Sequence, residues 1–282
     1  MLIDYLKRTR SALITWLILI LNVLGMLVPL LHGGESHSFT MIESGANYAP
    51  LTLTGDNWRL LSSMFLHGGV IHLALNMLML LIVGPMYEAH WGRVRFLLLY
   101  LAAGMAASLA SALWYGNHQI TQVEWVFLMP IEVSGIQPVV SMGASGALMG
   151  LIGSHLGAVL ANLFSWKACE VEGASLREDA YVVGSTLVLG LLLPAMDNAA
   201  HLVGWLSGVL IGLGWATTER LSRIGMRRCE CALLAALIGL LLAPLPESWA
   251  SAELRSYREA YWPTVTPQTE QYDPGLDNIT DK

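Results

Sequence analysis

Seven apolar stretches divide the chain, at roughly 12–31, 69–88, 94–115, 142–165, 180–196, 199–217 and 229–246. A helix needs about 20 residues to cross the hydrocarbon of a bilayer, and the backbone finds no water there, so each stretch is predicted to be a helix bonded within itself. The composition agrees: 13% of the 282 residues are charged and 55% are hydrophobic, whereas a water-solvated domain carries about a quarter charged residues. A soluble globule, a coiled coil, collagen and wholesale disorder are excluded. The expected fold is an all-α polytopic membrane protein whose first partner is the lipid bilayer.

Basic residues set the orientation, because Lys and Arg of short loops stay on the cytoplasmic side. Lys7, Arg8 and Arg10 place the N-terminus inside. Seven crossings then place Arg93, Arg95, Lys167, Arg177, Arg220, Arg223, Arg227 and Arg228 inside too, eleven basic residues against four outside (Arg59, Arg255, Arg258 and Lys282). The domain organisation that follows is a cytoplasmic N-terminus at 1–11, a seven-span unit at 12–246 and an external tail at 247–282. The tail is acidic, carries Pro263, Pro267 and Pro274, and is expected to be disordered and without a packed core. Span one has no Ala-x-Ala site behind it and is read as a retained anchor. Span five is short and bounded by Pro194, which predicts a frayed or tilted outer end. The outer loop 32–68, with Phe39, Tyr48 and Trp58, reads as a structured element at the membrane interface. Cys169, Cys229 and Cys231 fall on the reducing cytoplasmic side. Fifteen Lys and Arg in a chain of net charge −6 give no basic surface for a nucleic acid. Compact size and the lack of a transit-type N-terminus point to a bacterial inner membrane.

Polar side chains at membrane depth cost several kcal/mol unless partnered, so their positions are informative. Span two carries His72 and Asn76 four residues apart, on one helical face near the outer end. Alone, that pair also fits interhelical hydrogen bonding. Ser145 lies within about one turn of the outer start of span four, followed by a stripe of Gly146, Gly150, Gly153 and Gly157. A serine beside such a stripe is, by itself, equally packing material. Span six places His201 on one face with Gly204, Gly208 and Gly212. The topology puts Ser145, His201, His72 and Asn76 on the same outer side, and two glycine-striped helices can approach closely enough to join Ser145 to His201.

The chemistry available to such a cluster is acyl transfer. Serine attacks a carbonyl only when a base takes its proton, and neutral imidazole suits that work, which makes His201 the base. The oxyanion needs donors. The N–H of Ser145, His72 and the Asn76 amide are the candidates, each worth about 3 kcal/mol. Asp197, four residues before His201 on the same helix, is poorly placed to orient the imidazole, so a dyad is expected and not a triad.

These residues resemble the rhomboid family of intramembrane serine proteases over about residues 56–215. Trp58-Arg59 is similar to the family's Trp-Arg pair in the first outer loop. His67 and His72-Leu-Ala-Leu-Asn76 resemble its histidine-rich approach and His-x-x-x-Asn motif. Gly84, Glu88, Gly92 and Tyr100 resemble the junction of spans two and three. Gly143-Ala-Ser145-Gly146 matches the Gly-x-Ser-Gly nucleophile motif, and Ala200-His201-Leu-Val-Gly204 matches the base motif. The resemblance implies a six-helix core with one additional C-terminal transmembrane helix. It implies Ser145 as nucleophile, His201 as general base, and His72 with Asn76 in the oxyanion hole. Trp58 and Arg59 become scaffold residues, and the Glu88 region a stabiliser of the fold. Substrates implied are single-pass membrane proteins cut in or beside the transmembrane segment, with span five as a mobile side gate and the active site facing the periplasm.

Other classes fare less well. A non-catalytic relative that binds transmembrane helices as a chaperone or adaptor typically lacks the serine or the histidine. A transporter needs charged groups through the full depth. No cofactor is implied, and a metal is not expected: there is no His-Glu-x-x-His, and His67 with His72 lacks an acidic third ligand. One position departs from the family pattern: Met149 stands where many members have an aromatic residue packed on the base, and a thioether can still contact an imidazole edge. Met149→Phe is therefore expected to preserve or raise cleavage of a membrane-protein reporter. Abolished cleavage by a folded variant would show that residue 149 does not sit beside His201.

Overall fold

The apolar stretches expose many large apolar side chains around a core that holds polar side chains as well as apolar ones. Leu13, Leu17, Leu24, Ile71, Leu75, Leu78 and Leu191 are exposed, while Thr15, Asn22, Glu88, Ser154, His155 and His201 are buried. A computed structural model of the chain describes residues 9, 11–31, 38–117, 119–126, 129–136, 138–163, 174–193, 196–218 and 223–262. Pro194, Cys169, Lys7, Arg8, Arg10, Lys167, Arg220 and the tail from 263 onward, on which expectations were placed above, lie outside those residues.

The chain opens with α1 (Leu13–Gly25) and α2 (Leu27–Leu31). The single first span expected over 12–31 is thus interrupted at Met26, because Pro29 lacks the N–H that would bond the Gly25 carbonyl. The loop expected on the outer side follows as α3 (Ser38–Glu43), β1 (Asn47–Tyr48), α4 (Ala49–Thr52), α5 (Arg59–Ser62) and a 3₁₀ turn (Ser63–Phe65). Then come α6 (Val70–Trp91) and α7 (Arg93–Asn117). A hairpin, β2 (Gln119–Val126) and β3 (Met129–Ile136), leads to β4 (Val140–Ser141). The remaining helices are α8 (Ser145–Leu163), α9 (Leu176–Leu192), α10 (Asn198–Thr218), α11 (Arg223–Leu242) and α12 (Ala252–Tyr261). The fold is mostly helical but not all-α. β2 pairs with β3, and β1 pairs antiparallel with β4 through Asn47↔Ser141 and Tyr48↔Val140. Among the described residues α6, α7 and α10 are long and apolar enough to cross a membrane, and α1 and α8 carry shorter apolar runs.

Three devices hold the helices. Glu88 of α6, 5% exposed, accepts hydrogen bonds from the backbone N–H of Ile14 (3.1 Å) and Thr15 (2.8 Å) and from the Thr15 hydroxyl (2.8 Å). These amides lie in the first turn of α1, which has no partners of its own for them. Arg59 is buried in the outer loop, donating to the carbonyls of Ile42 and Ala46 and to Asp56, with its guanidinium 4.7 Å from the exposed Trp58 ring. Of the loop 32–68, expected to be structured, the described part from Ser38 onward is structured. Third, α8 and α10 meet backbone to backbone. A Cβ added to Gly204 would strike the Gly146 carbonyl, one on Gly208 the Gly150 carbonyl, and one on Gly153 the Trp205 carbonyl.

The tail departs from expectation over 247–262. A 3₁₀ turn at Glu247–Trp249 leads into α12, whose Ser251 hydroxyl caps it by accepting from the Leu254 N–H at 3.1 Å. Leu254 is fully buried with Ala49, Leu53 and Ala112, and Tyr257 and Trp262 pack with Ile42, Tyr48, Leu51 and Val140. The sequence reason is a short stripe, Leu254 and Tyr257 at helical spacing with Trp262 closing it, among charged neighbours.

A Cβ on Gly208 would meet a backbone, whereas one on Gly214 of the same helix would find nothing within 4 Å, so alanine should act oppositely at the two. Gly208→Ala is expected to cost about 1–3 kcal/mol or more by overpacking, and Gly214→Ala to stabilise by up to about 1 kcal/mol through helix propensity. Thermal unfolding of both variants in the same detergent checks the sign.

Candidate active site

Gly143 starts the site. Its φ of +124° belongs to glycine, and its N–H donates to the Ser63 carbonyl at 2.9 Å, fixing the turn that ends β4. Two residues later Ser145 is the first residue of α8, where the Ala144 carbonyl already accepts from Leu148 N–H. The first N–H groups of α8 therefore have no partner within the helix and point to the space before it. The Gly146–Gly204 approach then brings the start of α10 alongside.

Asp197 caps α10. Its carbonyl accepts from His201 N–H (3.1 Å), one carboxylate oxygen accepts from Ala200 N–H (2.9 Å), and the other accepts from the Ser141 hydroxyl (2.7 Å). The carboxylate is thereby engaged away from the imidazole, and His201 Nδ1 is buried with no hydrogen-bond partner among the described residues. On its other side His201 Nε2 lies 2.8 Å from Ser145 Oγ. His201 is 5% exposed. One imidazole nitrogen thus meets one serine hydroxyl in a site largely closed by protein. Asp197 has a structural task that sequence reasoning did not assign: it ties β4 to the start of α10.

His72 and Asn76 stand on α6 facing the same turn. A Cβ on Gly143 would lie 2.8 Å from His72 Cε1 and 3.9 Å from Asn76 Nδ2. The Asn76 amide donates one N–H to the His72 carbonyl at 3.0 Å and has a second to offer. His67, outside the helix, is fully buried, with its ring edge to face with His72 at 5.0 Å. Burial and then the neighbouring His72 push its imidazole down to about 3, so it is neutral at any physiological pH and acts as packing. Met149 is buried one turn into α8, and Gly146 and Gly204 form the helix contact. Trp58 and Arg59 belong to the outer loop and serve its structure.

A second set of polar contacts, further along α8, left no signal in the sequence. There the buried His155 Nδ1 meets Asp179 of α9 at 2.5 Å, and Ser154 accepts from the Trp91 indole N–H at 3.0 Å. Single polar residues on two different helices have no spacing that relates them.

Comparison with known proteins fits this geometry. The family model of the Rhomboid domain matches residues 54–217, which include every residue of the cluster. The rhomboid protease GluP of Bacillus subtilis is 30% identical over 88% of this chain and 44% of its own length. The rhomboid protease AarA of Providencia stuartii is 28% identical over 74% of this chain and 73% of its own. RHOMBOID-like protein 6, mitochondrial, of Arabidopsis thaliana is 32% identical over 67% of this chain. The chain spans 57% of that plant protein, so it matches roughly the shared domain and not its full length. With a domain match over more than half its residues, the chain belongs to the rhomboid family of integral membrane proteins.

Proposed function

We propose that the chain is an intramembrane serine endopeptidase that cuts single-pass membrane proteins in or near their transmembrane segment with a Ser145–His201 dyad. The observation that carries this reading is the 2.8 Å approach of His201 Nε2 to Ser145 Oγ at the open start of α8. His201 takes the Oγ proton as Oγ attacks the scissile carbonyl carbon. Negative charge then develops on the carbonyl oxygen, where the Ser145 N–H, His72 and the Asn76 amide can donate to it. His201 next returns the proton to the leaving amine, and an acyl-enzyme remains. The same imidazole deprotonates water, whose oxygen attacks the ester carbon and releases Ser145 and the new carboxylate. No third member is required, since the imidazole is held by burial and by its helix, not by Asp197.

The reading extends to the surroundings. Seven spans with a cytoplasmic N-terminus put the dyad at the periplasmic face of a bacterial inner membrane. The helix α9, which buries no side chain among its described residues, is the wall through which a substrate helix enters from lipid. Small residues beside a helix-weakening stretch suit the site, because an extended backbone must reach Ser145 Oγ.

The test is cleavage of a tagged single-pass reporter by the unaltered chain, Ser145→Ala and His201→Ala, all checked for folding and membrane insertion. Cutting by the unaltered chain alone is expected, with each variant down by a factor of at least about 10³, as for other serine hydrolases that lose a dyad member. Equal cleavage by Ser145→Ala overturns the mechanism. Silence of all three, with the reporter co-purifying, replaces it with helix binding by a chaperone or adaptor.

A further inference from the structure

The helix α12 lies beyond the matched domain, yet it is fastened to the loop that supports the nucleophile. Its Arg258 makes three contacts across the outer loop: to the Leu51 carbonyl (3.3 Å), the Thr54 hydroxyl (2.7 Å) and the Asp56 carboxylate (3.1 Å). Asp56 is shared, since its other oxygen accepts from Arg59 Nε at 3.1 Å. On the apolar side Leu254 fills the space between α4 and α7, where a Cβ on Gly116 would come within 3.2 Å of it. Tyr257 and Trp262 share a cluster with Tyr48 and with Val140 of β4. The loop is also tied to the neighbouring span, because the Asn57 amide donates to the carbonyls of Leu240 (3.2 Å) and Ala243 (2.5 Å) at the end of α11.

What this clamp holds leads directly to Ser145. β1 pairs with β4, Thr52 Oγ1 donates to Asn47 Oδ1 (2.8 Å), and the Asn47 amide donates to the Ser108 carbonyl of α7 (2.7 Å). β4 in turn bonds Asp197 through Ser141 and ends in the Gly143 turn. Two-residue strands are weak by themselves, and a bridge as short as β1–β4 persists only if both partners are held from outside. On the β1 side, α12 supplies part of that hold, packing on Tyr48 beside the Asn47 bond to α7.

We propose that α12, through Arg258, is a positioning element for catalysis: it fixes the β1–β4 bridge and thereby the distance from Ser145 to His201 and to the oxyanion donors. Arg258 touches no reacting atom and acts through the loop. The inference rests on the protease reading for its catalytic consequence but not for its structural one, and the two are separable by experiment.

The test uses the full chain in detergent or bilayer with Arg258→Ala, Arg258→Lys and, as control, Arg255→Ala, whose guanidinium reaches the Glu247 carbonyl beside its own helix. Arg258→Ala is expected to lower kcat for the reporter about tenfold with KM unchanged, because small misplacement of reacting groups is felt in the chemical step. Amide hydrogen exchange is expected to rise over 46–56 and at Gly143, with partial recovery of both readouts in Arg258→Lys and none of these changes in Arg255→Ala. Unchanged kcat and exchange in Arg258→Ala overturn the proposal, as does a loss carried only by KM. If Ser145→Ala cuts as well as the unaltered chain, the protease reading fails, while the exchange data still decide whether α12 holds the bridge.

Discussion

Everything at the site depends on two helix backbones touching. With α8 and α10 separated by ordinary side chains, their axes stand about 8–10 Å apart. A serine on one and a histidine on the other then have to reach across a layer of packing. Glycines at 153, 157, 204, 208 and 212 remove that layer, so that carbonyls of one helix occupy the space where Cβ atoms of the other would be. In lipid the hydrophobic effect does not press helices together, and close van der Waals contact of this kind is the main attraction left. The same feature that binds the bundle therefore sets the spacing of Ser145 and His201.

Polarity is distributed to match. The α8–α10 pair has Ser145 and His201 at one end, and further along α8 the His155–Asp179 and Trp91–Ser154 contacts tie the bundle with hydrogen bonds. Between them Gly153, Gly204 and Gly208 bring the two backbones together. Charged groups in the outer loop are likewise paired: Arg59 and Arg258 converge on Asp56.

Much of this was legible in the sequence because it is periodic. Glycine spacing on two stretches, His72 and Asn76 four apart, and the depth of Ser145 and His201 all follow from helical geometry applied to one segment at a time. The structure brings Ser145, His201, His72 and Asn76 to one turn. The features missed have no period to read. The β1–β4 bridge joins residues 47–48 to 140–141, too short a pairing to leave an alternating pattern, and the role of Asp197 as a link to Ser141 is a contact between a helix start and a two-residue strand. The helix α12 was hidden differently. Its apolar stripe is brief and sits among acidic and proline-rich neighbours, so the composition of the wider tail obscured Leu254, Tyr257 and Trp262, which do pack. The break at Met26 was overlooked because Pro29 lies near the end of an otherwise uniform apolar run.

Glu88 has a consequence for how the chain assembles. The carboxylate that satisfies the first-turn amides of α1 comes 73 residues after Thr15. When α1 is synthesised, its partner on α6 does not yet exist. Until then those N–H groups need water or another acceptor, since burying them unpaired costs several kcal/mol. The first turn of α1 therefore completes its hydrogen bonding only once α6 has been made.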